Sequence, residues 1–456
     1  MQSLIEDVSF IFEECARLND MVKLGRFKEI PREDAFCYLP HPSQSWPHGK
    51  MMCSRAGFTR LEGITRVALQ RADLQKRVSI KPARKAMAEI LVRKFLREGR
   101  PINEKHVARA MAENGRRSAA TTSDLTHFVP CHLMLSQQPT EFQLGPVRFI
   151  NRKIFRKKLA DHIRANRAIN RNMSRRVVFD AVRYFNTFGW IAEVTITACD
   201  REVSETMANS AVFAALNCLH VLFGARHSRK MTVGGPGIDY DKRGGFSVNP
   251  DGTLFSGASY GGPGEVGFGD KWFELFADAE AQTAIANLGT ALEVAVDPSL
   301  RRPISERFLD AAQWYGEAVR ETSQGAKAVK YVTALERMVM TDEKDDIAGL
   351  VSSRVAALCL EKPTVEGREK WRADTKRAYV IRSKLVHGSL SPTSDLVYEG
   401  VSLGADLGRS ALLSALSAIG PEGLRSQDVS NRQLGCCYDD LVAHVDRVIE
   451  NAAARR

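Results

Sequence analysis

Apolar positions in the last third of the chain recur at helical spacing. Val332, Leu335 and Val339 lie three and four positions apart, which places them on one face of a helix. Asp346 can cap the following helix, and Pro363 ends it. The pattern predicts helices at 304–318, 329–340, 347–360, 366–387, 403–419 and 438–452. Because the connections are short, neighbouring helices should be antiparallel and form a bundle.

The first 125 residues also carry a helical pattern, on a basic background. The stretch 83–97 places its apolar residues near one face, and Gly99 and Pro101 break it. Asn103 can then cap a second helix that runs to Ala112. Such a pair is either a solvated surface element or a reader of nucleic acid. The small polar residues 116–126 predict a linker.

The middle of the chain predicts a mixture of strands and helices. Gly145 and Pro146 lie between apolar residues, which indicates a turn joining two extended pieces within 142–149. The stretch 190–197 alternates and is rich in β-branched residues, so it predicts a strand. Residues 208–225 are the most apolar stretch, but the polar residues within it favour a buried core helix over a membrane span.

These patterns predict an α+β protein that is mainly α, in three sections. Residues 1–125 form a basic, mainly helical region, and 126–300 form a mixed α/β region with Gly-rich loops. Residues 301–456 form the antiparallel helical bundle. A chain of 456 residues is long enough for two or three such domains.

Charge favours contact with a polyanion. The formal net charge is +11 and the pI is near 9.2. The alternative is an ordinary protein with an Arg-rich surface. The basic run 148–176 leaves the same two interpretations open, because it is either a solvated helix face or a binding surface for RNA.

Cysteine usage and the N-terminus predict a cytoplasmic protein. The nine cysteines form no C-x-x-C pair and are odd in number, so we expect neither a disulfide framework nor a zinc site. Glu6 and Asp7 stand where a signal peptide would carry Lys or Arg. We therefore expect a cytoplasmic location without a membrane segment, and no metal or cofactor.

Two familiar catalytic patterns occur in the Gly-rich region, and both lack their structural context. The stretch 257–261 fits G-x-S-x-G, yet a Gly-Pro-Gly follows it where a nucleophile elbow needs a helix. The stretch 262–267 fits G-x-G-x-x-G without a surrounding strand–turn–helix unit. A hydrolase using Ser259 remains a weaker alternative, which needs a histidine such as His387 or His444 close to it.

The strongest candidate chemistry lies at 379–388, with the sequence YVIRSKLVHG. It predicts a helix end that carries Arg382 and His387, with Gly388 placed to stop the helix. Histidine can accept the proton of a ribose 2′-OH, and a guanidinium can pair with two phosphate oxygens. Five positions place the two side chains about 140° apart on an ideal helix, so the last turn must bring His387 towards Arg382. The alternative is that Arg382 pairs with a carboxylate and His387 interacts with the helix dipole.

Four stretches in this part of the chain carry a family resemblance, at 307–318 (RFLDAAQWYGEA), 331–338 (YVTALERM), 352–358 (SSRVAAL) and 379–388. In this order and spacing they resemble the HEPN domain, specifically its Apea-like branch. The stretch 127–149 resembles the segment that precedes the HEPN domain in such proteins. The family motif is R-x(4–6)-H, often with Asn, Asp or His directly after the Arg, and this chain has Ser383 there.

The resemblance implies a dimeric helical bundle and a metal-independent endoribonuclease, as found in prokaryotic antiviral systems of the abortive-infection type. Arg382 and His387 would be catalytic, and cleavage would leave 2′,3′-cyclic phosphate and 5′-OH ends. The neighbouring residues expected to hold RNA are Ser383, Lys384, Lys376 and Arg377.

The alternative within the same family is a non-catalytic dimerisation or RNA-binding module. The partners expected are RNA, a second copy of the chain and an unknown trigger molecule or protein. Glu336 and Arg354, polar residues on otherwise apolar helices, are expected to form an internal ion pair.

Overall fold

A computed structural model gives the fold of the chain. It describes residues 2–34, 37–42, 50–134, 139–165, 175–234, 241–248, 254–261 and 272–454. The chain divides into two compact units. Unit 1 comprises Met1–Leu125 and Ile196–Thr206, and unit 2 comprises Thr126–Thr195 and Met207–Arg456. Helices account for most of the described residues, so the protein is mainly α with antiparallel strands, as the sequence predicts.

Unit 1 is built on helices around one apolar core. The helices are α1 (Gln2–Lys23), α2 (Arg55–Arg71), α3 (Ile80–Leu91) and α4 (Glu104–Ala119), and a two-stranded sheet pairs β1 (Tyr38–Pro40) with β2 (Lys50–Met52). Val8, Ile64, Met87 and Val107 come from the four helices and have no exposed surface, which places the core between them.

The α3–α4 pair confirms the predicted break and cap but not the predicted linker. The Asn103 side chain accepts a hydrogen bond from the backbone N–H of His106 at 3.0 Å. The helix continues to Ala119, beyond Ala112, because buried Asn114 donates to the carbonyl of Ala83 at 2.9 Å. Residues 116–119 are therefore helical, and a strand begins at Ser123, so a linker at 116–126 was wrong.

Unit 2 contains a five-stranded sheet in the order β4-β5-β6-β3-β7. The strands are β3 (Ser123–His132), β4 (Glu141–Leu144), β5 (Val147–Asn151), β6 (Trp190–Cys199) and β7 (Thr232–Val233). The turn predicted at Gly145 joins β4 to β5 and has φ +55 at that glycine. The backbone of Gly289 lies so close that a side chain at either glycine would collide with the other residue.

Helices α5 (Arg152–Ala165) and α6 (Arg175–Phe185) carry parts of the basic run, and its residues 166–174 lie outside the described residues. A Gly-rich hairpin pairs β8 (Asp241–Val248) with β9 (Leu254–Gly261). The G-x-S-x-G pattern lies within β9, so Ser259 is not on a strand-to-helix turn. The G-x-G-x-x-G pattern at 262–267 lies outside the described residues.

The apolar stretch at 208–225 lies mostly in α7 (Arg201–Phe223), and the short α8 (Ala225–Ser228) follows it. By length and composition alone α7 could cross a membrane, but most of it is buried within the protein. Its polar residues have internal partners: Asn217 accepts from Arg320 at 3.0 Å, and His220 bonds to Ser228 at 2.9 Å. This burial and these internal partners are those of a core helix, as the sequence predicts.

The C-terminal helices form the predicted bundle. They are α10 (Pro303–Arg320), α11 (Gln324–Val339), α12 (Ile347–Cys359), α13 (Val365–Val386), α14 (Asp395–Arg425) and α15 (Asn431–Ala454), and α9 (Ala279–Leu292) precedes them. Arg307 at the start of α10 donates to the carbonyl of Arg337 at the end of α11 (2.9 Å), so these two helices are antiparallel. Asp346 caps α12 as predicted, accepting from the N–H of Gly349 at 3.2 Å.

Residues 126–300 and 301–456 were predicted as separate sections, yet 301–456 lies in unit 2 together with all of 126–300 except 196–206. Helix α9, from the middle section, packs on α14 of the bundle. Asn287 of α9 donates to the carbonyl of Leu416 at 3.3 Å, with both residues buried. The first predicted section ends at Leu125, where the long segment of unit 1 also ends, but 196–206 joins unit 1 as well.

Candidate active site

The candidate site lies at the C-terminal end of α13, and its backbone is fixed by a glycine turn. His387 follows the last helical residue, and Gly388 has φ +71, the left-handed conformation that ends many helices. The N–H of Gly388 bonds to the carbonyl of Leu385 at 3.2 Å, and the N–H of Ser389 bonds to that of Lys384 at 2.9 Å. These two bonds form a Schellman motif, which confirms the helix end predicted from Gly388.

Packing between α13 and α14 positions the helix end. Thr375, Ala378 and Ile381 form the buried face of α13. Ile381 contacts Gly400 of α14 so closely that a methyl group at Gly400 would lie 2.8 Å from its side chain. Arg382 directly follows this contact, so a rigid helix pair sets the direction in which it leaves the backbone.

Arg382 is held by two neighbours. Its Nη2 donates to Oε2 of Glu336, on α11, at 3.1 Å. The guanidinium carbon lies 5.6 Å from the centroid of the Tyr379 ring, within the range of a cation–π contact. The side chain is 24% exposed, and its buried Nε has no hydrogen-bond partner among the described residues. The guanidinium is thus oriented with most of its donors unused.

Glu336 is a carboxylate in an apolar setting. Burial raises its pKa above the usual carboxyl range, while the charge of Arg382 and a hydrogen bond from Tyr379 oppose the rise. The sequence predicted a pair between Glu336 and Arg354, and the structure contradicts it. The pattern that could have identified the real partners is the spacing of Tyr379 and Arg382, three positions apart on one helix face.

Arg354 anchors other parts of the bundle. It is only 1% exposed. Its Nη2 contacts Oε1 of Glu343 at 2.7 Å and Oδ1 of Asp439 at 2.9 Å, and its Nη1 donates to the carbonyl of Val339 at 2.8 Å. These bonds join the end of α11, α12 and α15. Arg354 therefore has a structural role, and its bonds do not include Arg382.

His387 stands at the same end of α13 with its side chain exposed. Within the described part of the chain it forms no side-chain hydrogen bond or ion pair, and its backbone N–H bonds to the carbonyl of Ser383 at 3.0 Å. The imidazole is therefore available to a ligand. The structure brings Arg382 and His387 to one helix end, with Arg382 directed towards α11 and His387 in solvent.

The four predicted RNA-holding residues differ in availability. Lys376 and Lys384 are exposed and make no side-chain ion pair with other described residues, and Ser383 is half-buried. Arg377 is engaged: its Nε lies 2.6 Å from Oε1 of Glu399, and its Nη2 donates to Oε2 at 2.7 Å. Arg377 thus joins α13 to α14 in a forked ion pair, whereas the two lysines keep free charges beside the site.

The described residues contain no group of three or more His, Cys, Asp or Glu side chains placed to hold a metal ion. Comparison with known proteins gives no relative, since no protein-family model, no curated protein and no solved structure matches this chain.

Proposed function

We propose that this protein is a metal-independent endoribonuclease of the HEPN type, acting as a prokaryotic antiviral effector of the abortive-infection kind. The resemblance of four C-terminal stretches to the Apea-like HEPN branch supports the proposal. The observation that carries it is the helix end of α13, where an oriented arginine and an unengaged histidine share one terminus.

The chemistry requires only a base and an anion-binding group. His387 takes the proton of a ribose 2′-OH, whose oxygen attacks the adjacent phosphorus. The bond from phosphorus to the 5′-oxygen breaks, and this oxygen takes a proton from the protonated His387 or from water. The products are a 2′,3′-cyclic phosphate and a 5′-OH. Arg382 pairs with the phosphate oxygens on which negative charge builds. Lys376 and Lys384 contribute two further charges for the RNA backbone.

Glu336 is a positioning residue in this scheme. It bonds Nη2 of Arg382 and leaves Nη1, which has no partner among the described residues, for a phosphate oxygen. Ser383 replaces the Asn, Asp or His that often follows the family arginine, and its hydroxyl can donate one hydrogen bond to phosphate.

A homodimer through the C-terminal bundle is part of the proposal. Three large apolar side chains are exposed at the end of α13 and the start of α14: Val386 (54%), Leu396 (43%) and Tyr398 (58%). Because each side chain is already about half covered, its burial between two copies would stabilise the pair by about 1 kcal/mol per residue. A two-fold axis at this end would bring two copies of the Arg382–His387 pair together.

A non-catalytic RNA-binding or dimerisation module is the second candidate. The ion pair between Arg382 and Glu336 favours it, because the guanidinium already has a carboxylate partner. Both candidates predict RNA affinity that weakens with salt. Only the first predicts strand cleavage in EDTA, with cyclic phosphate ends whose formation depends on His387. Incubation of the purified chain with RNA in EDTA therefore decides between the two candidates. A cytoplasmic location and an activating trigger remain predictions.

A further inference from the structure

The positive charge of the chain is concentrated in helices α2 to α4 of unit 1. Residues 50–120 contain 18 Lys and Arg against 6 Asp and Glu, a balance of +12, while the whole chain carries +11. This segment therefore accounts for the entire excess of positive charge. The candidate active site lies in a different part of the sequence, so it leaves this concentration unexplained.

Three of the six carboxylates in the segment, Glu62, Glu98 and Glu113, each contact two or more cations. Glu62 contacts Arg66 at 2.7 Å and Arg84 at 2.6 Å. Glu113 contacts three cations, because the π-helical turn Val92–Arg97 directs two successive basic residues towards it. Its partners are Arg93 (2.7 Å), Lys94 (3.0 Å) and Arg117 (3.0 Å). The segment thus has too few carboxylates to pair with all 18 of its basic residues.

Three such residues form a stripe along α4. Positions 105, 109, 112 and 116 fall within about 60° of one another around a helix. They hold Lys105, Arg109, Ala112 and Arg116, all of them exposed. The three basic side chains make no hydrogen bond or ion pair with any other described residue. We call these four residues the α4 stripe.

The opposite face of α4 is fixed in the core of unit 1. Val107, Ala110 and Met111 are buried there. Gly115 approaches the side chain of Ala72, and Asn114 bonds to Ala83. The α4 stripe is therefore presented on a rigid helix, so no ordering of the backbone is needed when a ligand binds.

We propose that the α4 stripe binds the phosphate backbone of double-stranded DNA. Three free cations on one helix face match a polyanion, and the alanine between them allows close approach. The major groove of B-form DNA, about 12 Å wide, admits an α-helix, whereas that of A-form RNA is too narrow. Single strands are usually held by stacking on aromatic side chains, and α4 has no Phe, Tyr or Trp. The site is independent of the proposed nuclease.

The test uses the full-length chain and a labelled 30-base-pair duplex of mixed sequence, with anisotropy measured over a range of salt concentrations. The variant Lys105→Gln/Arg109→Gln/Arg116→Gln removes the stripe. Each phosphate contact contributes about 0.9 to the slope of log K against log salt, so we expect the slope to fall by about 2 to 3. Affinity at low salt should fall by at least about tenfold.

A matched control removes the same charge from paired residues of unit 1. Lys23→Gln/Arg26→Gln/Arg66→Gln also replaces one lysine and two arginines, each of which contacts a nearby carboxylate. We expect this variant to bind DNA almost as the wild type does. Equal losses in both variants would assign the affinity to net charge alone and overturn the proposal. The proposal would also be overturned if the wild type did not bind duplex DNA, or if it bound double-stranded or single-stranded RNA of equal length more tightly than DNA.

Discussion

At the residue scale, the arginine of the R-x4-H motif is oriented by contacts that the motif does not contain. The sequence alone was sufficient to place Arg382 and His387 at a helix end, because Gly388 and the helical periodicity before it are local signals. Glu336 could not be assigned in this way. It lies 46 positions from Arg382, and several basic residues of the bundle were equally plausible partners by charge.

The variant Glu336→Gln tests whether the buried charge of Glu336 lowers the free energy of unfolding. Burial raises the pKa of Glu336 in the folded state, so the folded protein binds this proton more tightly than the unfolded chain does. The contribution of Glu336 to stability is therefore present at low pH and is lost as pH rises through the folded pKa. We expect the variant to gain stability relative to wild type between pH 4 and pH 7, measured by urea unfolding at both pH values.

The same variant should also cleave RNA more slowly, because a neutral amide accepts from Arg382 but holds it less firmly. A variant that becomes less stable than wild type as pH rises would show that attraction to Arg382 outweighs burial. Unchanged cleavage would remove Glu336 from the positioning role.

At the element scale, the sequence predicted the C-terminal helices to within a few residues at most ends. Periodic apolar positions and a clear cap coincide there, for example at Asp346. The prediction from sequence was wrong at 116–126, where small polar residues indicated a linker. Tertiary contacts decide that region, since Asn114 and Ser118 are buried in unit 1 and extend α4.

Gly388→Ala tests the helix end that presents His387. The position has open space but φ +71, so a methyl group strains the backbone by roughly 1 kcal/mol. Gly63→Ala is the matched control, because Gly63 lies inside α2 in equally open space without a positive φ. Calorimetry should show a lower Tm for the first variant and an equal or higher Tm for the second.

We also expect Gly388→Ala to lower cleavage, because a displaced turn moves the imidazole of His387. Full activity in that variant, together with a lower Tm, would mean that the turn serves stability alone.

At the scale of the whole molecule, the division into sections was harder to predict than the elements. Contacts between distant segments, such as α9 on α14, are not visible in local patterns. The return of 196–206 to unit 1 is likewise a long-range feature. Composition did indicate the basic character of the first 125 residues, because charge is additive along the sequence.

Assembly is tested with Leu396→Asp/Tyr398→Asp, which places charges in the exposed apolar patch of α14. Light scattering should give a dimer for wild type at micromolar concentration and a monomer for the variant, with cleavage reduced in parallel. Leu24→Asp is the control, because Leu24 is 70% exposed in unit 1 and should leave the dimer intact. A monomeric wild type, or a dimeric variant, would contradict assembly through this patch.

RNA cleavage in EDTA by wild type and by His387→Ala decides whether the helix end of α13 is a nuclease site. His444→Ala is the control, since it removes another exposed histidine from the same bundle. We expect a loss of about 10²–10⁴-fold for His387→Ala, near-wild-type cleavage for His444→Ala, and 2′,3′-cyclic phosphate ends. Arg382→Lys should also be severely impaired, because a lysine cannot grip two phosphate oxygens. Equal cleavage by wild type and His387→Ala, or none by wild type, would contradict a nuclease site there.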